Sequence, residues 1–178
     1  STDPPFWRYL FNSSFVASLT TLLTLILAIP AAYGLAKLPR RWKGVLRTAV
    51  VGAALFPYVL LFLALLELAR TFSLGNNLIA ITLPYSALSM PLALLLLTAA
   101  FEALPNDLED AAKLEGLSLW QRLRWVLLPL IAPASASTAI LVFLFAWNEY
   151  PVALTWLRRS DLLTLPVAMA RIAGSSTY

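Results

Sequence analysis

From Tyr9 to Ala36 the chain runs 28 residues without an Asp, Glu, Lys or Arg, and three more such runs follow, of 19 residues (Thr48 to Leu66), 31 (Thr71 to Phe101) and 24 (Trp125 to Asn148). A helix needs about 20 apolar residues to cross the hydrocarbon core of a bilayer, so each run holds one crossing. The expected fold is therefore all-α and integral to the membrane, with four transmembrane helices at roughly 12–36, 45–68, 78–101 and 126–157, the last bent at Pro151. A composition of 60% hydrophobic and 12% charged residues does not describe a soluble surface.

The same composition removes several kinds of chemistry. With no His and no Cys there is no thiol nucleophile, disulfide, imidazole base or Cys/His metal site within this chain. None of the six glycines lies in the phosphate-wrapping pattern that ends Gly-Lys-Ser/Thr. The net charge of +4 comes from cations set between apolar spans, without the continuous basic face that nucleic acid would require.

Those cations orient the chain. Lys37, Arg40, Arg41, Lys43, Arg47, Lys113, Arg122 and Arg124 fall on one side of the expected spans, and Arg8, Arg70, Arg158, Arg159 and Arg171 on the other. Short cytoplasmic loops carry the excess of Lys and Arg, which places the loops around 37–47 and 102–128 in the cytoplasm. The first span is too long for a signal peptide and lacks a basic leader. Ser1 in place of Met, and the short mixed stretch from Asp161 to Tyr178, suggest a chain processed or cut from something longer. Pro30, Pro57, Pro84 and Pro91 fall within the spans, where each removes a backbone donor and is expected to bend its helix. Such bends fit either a gated passage or a merely irregular bundle.

The segment 102–128 changes character to charged and amphipathic. Asn106 with Glu109 three residues on has the spacing of a capping box, and Asp107, Glu109 and Asp110 put negative charge where the helix dipole favours it. Leu108, Ala111, Ala112 and Glu115 follow a three-to-four-residue spacing, and Gly116 suits a left-handed stop. The expected helix of about nine residues is roughly 13 Å long, too short to span and suited to lie across a surface. Ser118 with Gln121 then caps a second helix, whose Trp120, Arg122, Arg124 and Trp125 mark the membrane interface. Such a helix is either a compact loop on its own bundle or a docking surface for a cytoplasmic partner.

These residues match a known pattern: Glu-Ala-Ala, three residues, Gly, nine residues, Ile, any residue, Leu-Pro. Here it reads Asp110-Ala111-Ala112, Gly116 and Val126-Leu127-Leu128-Pro129, with Asp for Glu and Val for Ile. It resembles the cytoplasmic signature of the membrane (permease) subunits of bacterial ABC importers that depend on a binding protein. Leu104-Pro105, Ala146-Trp147-Asn148-Glu149-Tyr150 and Leu165-Pro166-Val167 resemble the carbohydrate-uptake branch, in particular its second membrane subunit.

The resemblance implies one transmembrane domain over residues 1–178, a six-helix permease of which the first and last helices are missing, with 102–128 as its cytoplasmic coupling segment. It implies a second permease subunit, two ATPase subunits carrying ATP and magnesium, and an extracytoplasmic solute-binding protein, in the cytoplasmic membrane of a bacterium or archaeon. This chain itself would be non-catalytic and hold no cofactor or metal. Glu109, Asp110, Ala111, Ala112, Glu115 and Gly116 would dock on the ATPase, the two alanines allowing close approach and the glycine a sharp turn without a clash.

Glu149 is the clearest acid within an apolar stretch, beside Asn148 and Tyr150. An intramembrane acid is costly unless paired or wet, so these three residues either line the pathway or a cargo-protein contact, or serve structurally at the external headgroups. Glu67 and Arg70, three apart, can pair on one helix. The alternatives are an importer permease for another small solute and an ion-coupled secondary transporter that uses Glu149 to carry the proton.

Overall fold

The computed structural model describes residues 4–175. Among them the chain is helical without strands. Its helices are α1 (Phe6–Ala36), α2 (Arg40–Leu55), α3 (Tyr58–Thr71), α4 (Thr82–Glu102), α5 (Asn106–Leu114), α6 (Leu119–Gln121), α7 (Leu128–Leu130), α8 (Ala132–Asn148), α9 (Pro151–Trp156) and α10 (Leu165–Ser175), with a π-helical turn at Arg122–Leu127 and a 3-10 turn at Ser160–Leu162.

α1 and α4 are long and apolar enough to cross a membrane, and a third crossing exists if Leu119–Leu130 and Ala132–Asn148, bent by 77° at their junction, count as one. The second expected span is not a single helix. It is divided between α2 and α3, because Pro57 has no N–H to donate and disfavours helical backbone at Phe56. Of the four prolines expected to bend the spans, only Pro57 coincides with a break. α1 continues through Pro30 and α4 through Pro91, while Pro84 sits in the first turn of α4, where a missing donor costs nothing. The sharp bend falls instead at Ile131, between Pro129 and Pro133. Pro151 does not bend a continuous helix; it opens α9 after the non-helical pair Glu149–Tyr150.

The residues pack as two compact units. The first takes the chain up to Thr24, Phe56–Ser89 and Leu141 onward. Its core joins Val16 and Ala17 of α1 to Ile81 and Tyr85, to Ala146, to Val152, Ala153 and Trp156 of α9, and to Val167 and Ala168 of α10. Side chains stitch its loops: Asn12 Nδ2 donates to the carbonyls of Asp161 and Leu163 at 3.1 and 2.9 Å, and Ser13 Oγ accepts from the Leu165 N–H at the start of α10 at 2.8 Å. Asn76, with a left-handed φ of 54°, accepts from the N–H groups of Arg158 and Arg159 at 2.7 and 3.0 Å. Glu67 and Arg70 do not pair; both are exposed, and no ion pair joins them among the described residues.

The second unit comprises Leu25–Leu55 and Met90–Ile140. Ala28 and Ala32, one helical turn apart and fully buried, lie in one cluster with Ala93, Leu97 and Phe101 of α4 and with Leu123, Leu127 and Ile131. Small residues at that spacing let helix backbones approach closely, the usual basis of helix packing in a membrane. Many large apolar side chains remain exposed on the long helices, among them Leu22, Ile26, Leu27, Leu92, Ile140 and Leu144. Exposed large apolar side chains in that number suit contact with hydrocarbon.

Candidate functional site

The segment between α4 and the π-helical turn folds within the second unit as a helix, a glycine turn and a second helix. α5 spans nine residues, Asn106–Leu114, as the spacing implied. Its start differs from expectation: Pro105 occupies the cap position and no side chain caps the helix, so Asn106 is its first residue and forms no capping box. Proline pre-sets φ at −59° there, and Asp107 and Glu109 in the first turn offset the positive helix end.

The helix ends in a Schellman arrangement, with Gly116 N–H donating to the Lys113 carbonyl at 3.0 Å and Leu117 N–H to the Ala112 carbonyl at 3.1 Å. Gly116 carries φ +79°, yet a Cβ there would meet nothing within 4 Å. Glycine is required for the backbone angle and not to avoid a clash. Ser118 and Gln121 form the reciprocal capping box that the sequence predicts, with Ser118 N–H donating to Gln121 Oε1 at 2.8 Å and Gln121 N–H to Ser118 Oγ at 3.4 Å.

The two faces of α5 do different things. Glu109 (3% exposed) and Ala112 (7%) are buried. Leu108, Asp110, Ala111, Leu114 and Glu115 are exposed, Leu114 to 90%. Ala112 therefore leaves the face on which the spacing grouped it with Leu108, Ala111 and Glu115. Gly116 is also exposed.

Glu109 is the centre of a charge cluster. Tyr33 Oη, near the end of α1, donates to its Oε1 at 2.6 Å. Lys37 Nζ lies 2.5 Å from Oε2, and Arg122 Nε and Lys113 Nζ lie 3.8 and 3.9 Å from Oε1. Burial acts to raise the Glu109 pKa, but the contacts with Lys37 and Tyr33 and the charges of Lys37 and Lys113 outweigh it and hold the carboxyl below its ordinary range. Tyr33 is fixed from behind by an edge-to-face contact with Phe101, 5.6 Å between centroids. Arg122 is turned inward and also donates to the Leu117 carbonyl at 3.1 Å. The cluster ties α5 to the end of α1 and to the π-helical turn. On the outer face Asp110, held below its usual pKa by the hydrogen bond from Lys113, remains exposed.

Sequence spacing brought out most of this helix but missed Leu114, Tyr33 and Lys37. Leu114 was legible as the apolar residue three beyond Ala111; Tyr33 and Lys37 gave no local signal toward α5. Trp120 and Trp125 are exposed, with the Arg124 guanidinium 5.3 Å from the Trp125 ring centre.

The second candidate group lies in the first unit. Glu149 is 5% exposed, and its carboxylate accepts from Tyr85 Oη at 2.6 Å and from the N–H groups of Val152 and Ala153 at 2.9 and 3.1 Å. It thus satisfies donors in the first turn of α9 that would otherwise be orphaned in the interior. Asn148 is exposed and donates back to the Leu144 carbonyl at 2.7 Å; Tyr150 is half-buried.

Residues 24–175 match the family model described as "Binding-protein-dependent transport system inner membrane component". The sulfoquinovosyl glycerol transport system permease protein SmoH of Agrobacterium fabrum is 37% identical over 99% of the chain. The trehalose transport system permease protein SugB of Mycobacterium tuberculosis is 37% identical over 95% of it. The trehalose/maltose transport system permease protein MalG of Thermococcus litoralis is 36% identical over 97%. The chain spans 62, 62 and 63% of the lengths of these relatives. A crystal structure of a bacterial ABC transporter that imports the acidic polysaccharide alginate superposes over 98% of the chain, and 64% of its own, with a TM-score of 0.80 and 25% identity.

Proposed function

The chain belongs to the family of binding-protein-dependent transport system inner membrane components, and from that premise we propose that it is the permease subunit of an ATP-driven importer for a sugar or oligosaccharide. The relatives named above are permeases for glycosides and disaccharides, which supports that solute class. In this reading the chain has four spans. A second permease subunit, two ATPase subunits with their ATP and magnesium, and an extracytoplasmic binding protein complete the assembly in the cytoplasmic membrane.

One observation carries the mechanism: α5 is clamped from within by Glu109 while Leu108, Asp110, Ala111, Leu114 and Glu115 stay exposed, Asp110 paired with Lys113. A helix fixed to its own bundle and open on its other side can transmit a push. We assign that outer face, Leu108, Asp110, Ala111, Leu114 and Glu115, to the ATPase groove, and Glu109 and Ala112 to holding the helix rigid. Gly116 sets the turn that leads the helix back to the membrane. ATP-driven movement of the groove then shifts the spans between inward and outward access, by as much as the nucleotide states differ in affinity for the two conformations. Glu149, with both carboxylate oxygens occupied by donors, is a pin between α4 and α9 and not a proton carrier. Among its neighbours, exposed Asn148 is the residue available to cargo.

The test uses the cysteine-free chain in its complete complex. A cysteine at Ala111 should cross-link to one in the groove of the cognate ATPase and change its yield with nucleotide state. Absence of cross-linking in every nucleotide state would overturn the docking assignment. Binding-protein-dependent ATP hydrolysis stimulated by a sugar, and by no other solute class, would fix the cargo.

A further inference from the structure

We infer that the second unit carries a binding site for an anionic phospholipid, in the groove between α2 and α4. The groove is open to the surface and walled by Leu35 at the end of α1, Val50 of α2, and Leu94 and Leu95 of α4. Lys43 and Arg47 line the same space. Arg40, Lys43 and Arg47, spaced three and four apart, form one row along α2.

Protein balances the charge of that row only at Lys43. No Asp or Glu occurs between residues 4 and 66. Lys43 reaches Glu102 at 3.0 Å, but Arg40 and Arg47 have no acidic partner among the described residues. α2 buries none of its residues within the described chain, and Trp42 beside the row is 53% exposed. An aromatic residue flanked by cations is the signature of the headgroup level of a membrane. Basic pockets between helices at that level take anionic headgroups.

A free phosphate would satisfy Arg40 and Arg47 but leave the leucine and valine walls wet, and a purely apolar occupant would leave both guanidinium groups unpaired. An anionic glycerophospholipid does both: its headgroup pairs with Arg47 at the groove wall and with Arg40 two turns along the same row, and one acyl chain runs along Leu35, Val50, Leu94 and Leu95. Glu102 holds Lys43 to one side and keeps zwitterionic headgroups, whose own cation needs an acid, from gaining a free partner.

The experiment uses the complete transporter in its membrane-extracted form, with phosphatidylglycerol and phosphatidylcholine probes carrying a photoactivatable group in the acyl chain and cross-links mapped by mass spectrometry. Phosphatidylglycerol should label the peptides bearing Val50 and Leu94 several-fold more than phosphatidylcholine does. Arg40→Gln and Arg47→Gln should each cut that labelling about fivefold, and Arg124→Gln, outside the groove, should leave it unchanged. Equal labelling of the unmodified complex by the two lipids would overturn the proposal whether or not the variants assemble. So would displacement by millimolar inorganic phosphate alone, or an unlabelled groove that cross-links to a helix of another subunit.

Discussion

Tyr33 Oη donates a 2.6 Å hydrogen bond to Glu109 Oε1 across 76 residues of sequence, joining the end of a membrane-spanning helix to a helix too short to span anything. Lys37, one turn beyond Tyr33, approaches the other oxygen of the same carboxylate. In the proposed mechanism, motion imposed on α5 would reach α1 through this part-buried, charge-assisted contact.

Glu109→Gln keeps the shape of that side chain and removes its charge, leaving Lys37 and the inward Arg122 without their anion. Hydrogen bonds to charged groups are worth roughly 2 kcal/mol, and a loss of that order is expected on thermal unfolding of the purified complex. Coupling should suffer more than assembly: sugar-stimulated ATP hydrolysis falls while subunit stoichiometry is preserved. Tyr33→Phe should show the same pattern at smaller amplitude. Wild-type coupling in both variants would show that the clamp is not needed to transmit motion.

The pH response follows from the depressed pKa of Glu109. A carboxyl whose folded-state pKa lies below its unfolded value contributes stability in full above the ordinary range near about 4.3, and loses it as pH falls through the folded-state value. Melting temperature should be insensitive to this group between pH 6 and 8, as judged by comparison with Glu109→Gln, and the two proteins should converge in acid. Divergence that grows as pH falls would contradict the sign.

Cysteine accessibility separates the two faces of α5. In the background without native cysteine, Ala111→Cys should react rapidly with a water-soluble maleimide in the isolated membrane subunit and be protected when the ATPase is bound. Ala112→Cys, at a site 7% exposed, should react slowly in both. Equal rates at the two positions would refute the orientation of the helix.

At Gly116 the obstacle to a side chain is φ +79° and not space. A left-handed angle costs an ordinary residue about 1–2 kcal/mol, and Asn tolerates it better than most. Gly116→Asn should therefore retain more coupled ATPase activity than Gly116→Leu, with membrane insertion intact in both. Equal loss in the two would point to a steric requirement that the open surroundings of Gly116 do not show.

Tyr85→Phe and Glu149→Ala should both lower the melting temperature of the complex, the second more, because it orphans two buried N–H groups at the start of α9, each worth about 1–3 kcal/mol when unsatisfied. Neither should create or abolish a dependence of transport on the proton gradient. Transport by the parent protein that collapses with that gradient while ATP is present would return Glu149 to the role of proton carrier.

Local sequence determined the local features. Charge-free runs of helix-spanning length, Ser118 with Gln121, the nine-residue reach of α5 and the left-handed stop at Gly116 each depend on residues within a few positions of one another, so their spacing is enough to state the physics. The breaks were only half legible: Pro57 ends a helix, whereas Pro30 and Pro91 are carried through, because whether a lost hydrogen bond is tolerated depends on what packs around it. Which side of α5 turns inward could not be read from α5 at all. Its Glu109 is buried because Tyr33, Lys37 and Arg122 arrive from elsewhere in the chain to neutralise it, and Ala112 follows it in by helical geometry. The same holds for Glu149, whose carboxylate is sheltered by Tyr85 from 64 residues away. A buried charge is stable only where its partners converge, and that convergence is a property of the folded chain.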